Sequence, residues 1–370
     1  MKRTSILLFS LLISSAMTAQ KKYNLLIGTY TNSCESKGIY VFDYNPETAE
    51  TKQKSSTGKT INPSFLAVSS DKKNIYSVNE DGKNSKVSAF SYNAKSGEML
   101  LLGTQDAMGA DPCFILDDAK NVLTANYSGG SISVFKKKSG GGLTPSVQVI
   151  AHEGHSANAK RQESPHVHMV QFSPDKKFVF ANDLGTDRIY VYRYYPDAEK
   201  KVLEFQDTIP IKTGSGPRHL AFHPNGKNVY LIQELDGTIT AFNYADGKAK
   251  RIQETTIVKP DFKGETSAAD IHISSDGKFL YATNRGDANT ISTFAIQENG
   301  KLTFKETIQT TGKGPRNFTL SPDGKFVLVA HQYSNNVVIF NRDEVTGLLT
   351  DSGKRIELCA PVCLVFDEVE

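Results

Sequence analysis

A frame of about fifty residues recurs along the chain, and tandem units of that length belong to stacked or circular arrays. The frame runs proline, a short apolar alternation, a Ser-Pro-Asp-Gly-Lys type turn, a second alternation ending in Asn or Gln, a brief turn, Val-x-Val-Phe, and a loop with Gly-x-Leu. Copies start at Pro63, Pro112, Pro165, Pro217, Ala269 and Pro315, 46 to 53 residues apart, and Pro361 opens a partial copy at the C-terminus. Each full copy holds four short runs rich in Val, Ile, Tyr and Phe, bounded by Asp-Gly, Asn-Gly or Pro-Asp turns, which predicts four antiparallel strands. Four-stranded units of this length on a ring are propeller blades.

The two chain ends complete the count. "PVCLVF" at 361–366 supplies only a first strand, and three strands without a first one are read in "YNLLIGTY" (23–30), "GIYVFDY" (38–44) and the segment after "NPETAE". The expected fold is therefore all-β: one seven-bladed β-propeller over residues 21–370, built of four-stranded antiparallel blades. Its seam blade is closed by the N-terminal strands plus the C-terminal strand, which leaves no open sheet edge. No window of a dozen residues sustains the 3.6 period of a helix. No Gly-x-Gly-x-x-Gly follows a strand, and "SGGG" at 139–142 lacks the Lys-Ser/Thr of a phosphate loop.

Composition narrows the function. With 43 basic and 40 acidic residues and a net charge of +3 in 370 residues, there is no electrostatic footprint for nucleic acid. "KKK" at 136–138 reads as a solvated loop. Residues 1–19, in "MKRTSILLFSLLISSAMTAQ", have the basic, apolar and small-residue regions of a signal peptide and are too short for a membrane span. The mature chain is expected to start near Gln20, to be periplasmic or secreted, and to have no membrane span. Cys34, Cys113, Cys359 and Cys363 are expected as buried free thiols. A bridge between Cys34 and Cys359 is the alternative, since both fall on one side of the seam blade and such a compartment permits it. The absence of Trp and of Cys-x-x-Cys-His argues against quinone and haem cofactors. Neither His-Glu-x-x-His nor a compact His/Asp cluster occurs, so no metal or other cofactor is expected.

In an up-and-down blade, the loop entering strand one and the loop joining strands two and three share a face. One place past each repeat's proline stand Ser64, Cys113, His166, Arg218, Asp270, Arg316 and Val362. Two places deeper are Leu66, Ile115, His168, Leu220, His272, Phe318 and Leu364, a mostly apolar set. Strand two delivers Glu80, Asp183, Glu234, Arg285 and Gln332 to the same face. Titratable groups around the mouth of a narrow channel are costly unless they pair or meet a ligand. His166, Arg218, Glu234 and Arg285 are the expected catalytic constellation. His168, Asp183, Arg316 and Gln332 are candidates for substrate binding. The structural alternatives are an Arg218–Glu234 ion pair between blades and core histidines at 168 and 272. The long segment "AHEGHSANAKRQE" (151–163) either covers the mouth or carries His152 and His155 as surface residues.

The segments "LIGTYT", "SKGIYVFDYN", "RQESPHVH", "ANDLGTDRIYVY", "GPRHLAFHPNGKNVY", "AADIHISSDGKFLYATNR" and "GKGPRNFTLSPDGKFVLVAHQ" together resemble the lactonase family of seven-bladed propellers. That family includes propeller-type 6-phosphogluconolactonases and carboxy-cis,cis-muconate cyclases. The resemblance implies a catalytic His, two Arg and a Glu, matched to His166 of "PHVH", Arg218 of "GPRH", Arg285 of "TNRG" and Glu234 of "IQEL". It implies hydrolysis of a small anionic sugar lactone, 6-phosphogluconolactone or a related aldonolactone, with Glu234 or His166 as base and the arginines as anion and oxyanion clamps. The alternatives are a lactone-forming cyclase and an exported propeller that only binds.

Overall fold

The computed structural model describes residues 21–369, so the leader expected over 1–19 lies outside the described residues. Twenty-eight strands form seven four-stranded antiparallel sheets. The seam sheet runs Pro361–Val369, Lys22–Thr29, Ile39–Tyr44, Thr51–Ser56 in space. The other six are sequential, over residues 66–106, 112–151, 167–210, 217–256, 268–309 and 315–357. First strands touch their neighbours in order around the ring and back to the seam, enclosing a central channel. The chain is a seven-bladed propeller closed by both termini, with one short 3₁₀ turn, Gly82–Asn84, as the only helical element among the described residues.

Burial falls from the axis to the rim. Second strands such as Asn228–Gln233 and Phe326–His331 are buried along their whole length, covered by the adjacent blades. Fourth strands such as Lys248–Thr256 keep a solvated face. Aromatic rings fill the clefts between blades: Phe180 meets Phe222 at 5.4 Å and Tyr244 at 5.7 Å between ring centroids. Full burial of such a ring contributes about 2–3 kcal/mol.

The turn between strands one and two has one chemistry in four blades. Ser69, Ser173, Ser274 and Ser321 each donate Oγ–H to the Asp two residues on (2.5–2.7 Å) and accept the backbone N–H five residues on (2.9–3.0 Å). Side chain–backbone bonds of this kind fix a tight turn. On third-to-fourth turns the clasp comes from the second strand of the preceding blade: Tyr230 Oη donates to Gly300 O at 2.9 Å. Gly300 has φ +78°, and a Cβ there would lie 2.2 Å from Asn228 Nδ2.

Two expectations are corrected. Cys34 and Cys359 form a disulfide, with 5.9 Å between α-carbons, tying the loop after Lys22–Thr29 to the start of the seam's C-terminal strand. Cys113 and Cys363 are buried free thiols. The second correction concerns register. Val167, not Pro165, pairs with the end of its second strand, Asp183, as Pro217 pairs with Gln233 and Pro315 with His331. Ala268 likewise pairs with Asn284. The slot one place into the first strand thus holds His168 rather than His166, and Ala269 rather than Asp270.

Candidate active site

Two rings of residues meet at one mouth of the channel. The first is the second position of six inner strands, Cys113, His168, Arg218, Ala269, Arg316 and Val362, together with Ser64, which stands just ahead of the inner strand Leu66–Val68 in its blade. The second is the residue just past each second strand: Tyr30, Glu80, Tyr127, Leu184, Glu234, Arg285 and Gln332. Every member of the second ring donates its backbone N–H to the carbonyl just ahead of its blade's inner strand, at 2.7–3.2 Å; the acceptors include Asn62, Asp111, His166, Gly216 and Gly314. That repeated bond aims the two rings at the same space. His166 is therefore a backbone anchor of the strand entry.

Glu234 is the centre of the cluster. Its Oε2 lies 3.0 Å from Arg218 Nε, 3.1 Å from Arg285 Nη2 and 3.9 Å from His168 Nε2. Its Oε1 accepts from Arg161 Nη2 at 2.6 Å, and the same guanidinium nitrogen donates to Tyr127 Oη at 3.1 Å. Arg161 comes from the loop 152–166 between blades, so that loop does close over the mouth. Arg218 is 1% exposed and also donates to the Ala269 carbonyl. Across the mouth, Tyr30 Oη donates to Glu80 at 3.0 Å, Ser64 Oγ donates to the same carboxylate, and the Arg316 guanidinium lies 5.5 Å over the Tyr30 ring. The Arg316 guanidinium has no hydrogen bond or ion pair to another described residue.

Burial would raise the Glu234 carboxyl, but Arg285, Arg218 and Arg161 outweigh it and bring its pKa to about 2. Burial, then the charge of Arg218, press the His168 imidazole well below its ordinary value, so it is neutral at neutral pH. Its Nδ1 lies 3.6 Å from the Cys113 sulfur, leaving Nε2 toward the mouth. Burial raises Glu80 above the usual carboxylate range, against the opposing charge of Arg316. His168, Glu234, Arg161, Arg285, Arg316 and Tyr127 line one cavity of 280 Å³. Among the described residues no three His, Cys, Asp or Glu side chains converge as metal ligands.

Of the residues singled out from sequence, Arg218, Glu234, Arg285, Arg316 and His168 come together here. His166 sits behind the cavity, its ring stacked on Tyr127 at 4.6 Å, with Nδ1 3.1 Å from Tyr127 O and Nε2 3.3 Å from Glu163. Asp183 is buried away from the mouth. Its carboxylate takes the N–H groups of His166, Gly185 and Thr186 and pairs with His152 Nδ1 at 2.8 Å, which shapes the turn rather than the cavity. Gln332 lines an adjoining cavity. Asp270 and His272 pair at 3.0 Å in the opposite half of the channel. Arg161 and Tyr127 escaped sequence reading; the long loop itself was the only signal for Arg161. A larger groove of 840 Å³ lies on the outer seam strands near Lys21, Asp43 and Lys354. Among the described residues no buried titratable cluster faces it.

A closed propeller with guanidinium, carboxylate and imidazole groups converging at one mouth defines a propeller enzyme. The chain belongs to the lactonase family of seven-bladed β-propellers, whose sequence model matches residues 24–366. It is 34% identical to the 6-phosphogluconolactonase of Bacillus subtilis over 93% of this chain and 98% of that one. It is 37% identical to the 6-phosphogluconolactonase of Formosa agariphila over 88% and 94%. Among solved structures, the periplasmic gluconolactonase PpgL of Pseudomonas aeruginosa superposes with a TM-score of 0.88 at 33% identity, covering 94% of this chain and all (100%) of that one.

Proposed function

We propose that the chain hydrolyses a six-carbon sugar lactone in the 280 Å³ cavity, with His168 as general base. The observation that carries this reading is the convergence of one neutral imidazole, one fixed carboxylate and several guanidinium groups on that single space. His168 Nε2 takes a proton from water as the water oxygen adds to the lactone carbonyl carbon. Glu234, 3.9 Å away, stabilises the imidazolium. His168, pressed below its ordinary value, is neutral and keeps a free lone pair for the proton, while Glu234, with a pKa of about 2 and its oxygens taken by three guanidinium groups, serves as the fixed charge beside it. Arg316, with its donors uncommitted, meets the oxyanion, and Arg161 and Arg285 hold an anionic substituent or the carboxylate product. Collapse of the tetrahedral adduct breaks the ring C–O bond, His168 returns its proton to the leaving oxygen, and the new acid ionises with release of one proton.

The relatives' names support a gluconate-derived lactone, and the expected leader favours an unphosphorylated one, because phosphorylated sugars belong to the cytoplasm. The test is proton release by the purified protein on glucono-1,5-lactone and on its 6-phosphate. Opening well above the spontaneous rate is expected, with the ratio of the two kcat/KM values assigning the substituent. No acceleration of either lactone would overturn the reading.

A further inference from the structure

The mouth has a second lobe. A cavity of 480 Å³ adjoins the first and shares Tyr30, Glu80 and Asp111 with it. Its chemistry is different. The first lobe carries the guanidinium groups; the second has no cation in its lining, which is made of amides, hydroxyls, the two shared carboxylates, the Tyr333 ring and the Cys34 sulfur. An anionic substituent is repelled there, whereas carboxylate and amide oxygens accept from neutral O–H donors.

The lobe is also built. Tyr333 is 67% exposed, yet it is held against Gly314, where a Cβ would fall 2.5 Å from the ring. An aromatic side chain fixed and open on one side is a platform for the C–H face of a sugar ring, whose slightly positive hydrogens meet the negative π-face. The opposite wall, around Asn32 to Cys34, is fastened by the Cys34–Cys359 disulfide. Asn335 Oδ1 accepts the Ala360 N–H at 2.9 Å and fixes the corner between them. At roughly 30 Å³ of liquid per water, the first lobe has the volume of about nine waters, the scale of one sugar ring, and the second is larger.

We infer that the second lobe is a subsite for a neutral glycosyl unit, so that the preferred substrate is an aldonolactone carrying a sugar substituent, its lactone ring in the arginine lobe and its sugar ring on Tyr333. This rests on the lactonase reading above. The experiment compares kcat/KM for glucono-1,5-lactone with that for cellobiono-1,5-lactone, in the wild type and in Tyr333→Ala, an exposed position whose truncation leaves the core intact. A preference of tenfold or more for the disaccharide lactone, falling toward unity in Tyr333→Ala through KM, is expected. A wild-type ratio near one, or a preference that Tyr333→Ala leaves unaltered, overturns the subsite. If neither lactone is opened, the hydrolytic reading fails instead, and the subsite is then read by calorimetry with cellobionate. Binding that Tyr333→Ala removes upholds it, and no binding overturns it.

Discussion

Arg218 and Arg316 occupy the same slot in different blades and have different duties. Arg218 is sealed in and bonded to Glu234 and to the Ala269 carbonyl, whereas Arg316 lies over an aromatic ring with its donors unspent. Removing one partner of a buried ion pair costs about 3–5 kcal/mol, so Arg218→Met should lower the urea midpoint strongly along with activity. Arg316→Met should change stability by about 1 kcal/mol or less while reducing kcat/KM about 10²- to 10³-fold, the typical loss for one oxyanion donor. Equal destabilisation by the two variants would contradict the assignment. Both arginines, with Glu234 and Arg285, are legible in the sequence, because they fall at fixed distances from repeated turns. Arg161 is not, since its loop has no counterpart in the other blades and hence no register to read. Asp183 misleads by one residue: it ends its second strand, and the ring position is the following Leu184.

At the scale of strands and loops, the repeat fixes the architecture but leaves the blade of residues 167–210 two residues out of step. Proline suits the first position of an inner strand because it has no N–H to satisfy there. Val167 serves equally well in that blade, and Pro165 sits upstream as part of the long loop. Aligning on proline therefore puts His166 in the slot that the hydrogen-bond register gives to His168. The seam carries its own test. Lys22–Thr29 and Pro361–Val369 pair along their length, so strand pairing and a disulfide both tie the seam. The Cys34–Cys359 bridge spans 325 residues, and a disulfide typically adds about 2–4 kcal/mol, largely by restricting the unfolded chain. Cys34→Ser should keep the native β-sheet circular dichroism and lower Tm by a few degrees. Loss of the folded spectrum would mean that the strands alone do not close the seam, and an unchanged Tm would mean that the bridge adds nothing.

Across the whole molecule, buried histidines set the acid limit. Burial brings His219 and His331 down to about 4, from an ordinary value of 6.5. The unfolded chain then binds more protons than the folded one between those values, so stability is greatest above pH 6.5 and falls as pH drops toward 4. Glu234, depressed to about 2, extends the loss below pH 4.5. Asp117, which burial raises to about 6, gains stability as pH falls over part of the same range and opposes the histidines, so Tm should fall from pH 7.5 to 4 more steeply in the wild type than in His331→Asn; an equal fall in both would show that His331 is not buried as a neutral group. The same closed ring that buries them is what brings His168, Glu234 and Arg285 from successive blades to one cavity, with Arg218 sealed in behind Glu234. The most direct test of that convergence is kcat/KM on glucono-1,5-lactone for His168→Asn beside His166→Asn. A loss of about 10²-fold or more in the first, with less than about tenfold in the second, is the predicted result. Full activity in His168→Asn would contradict the account.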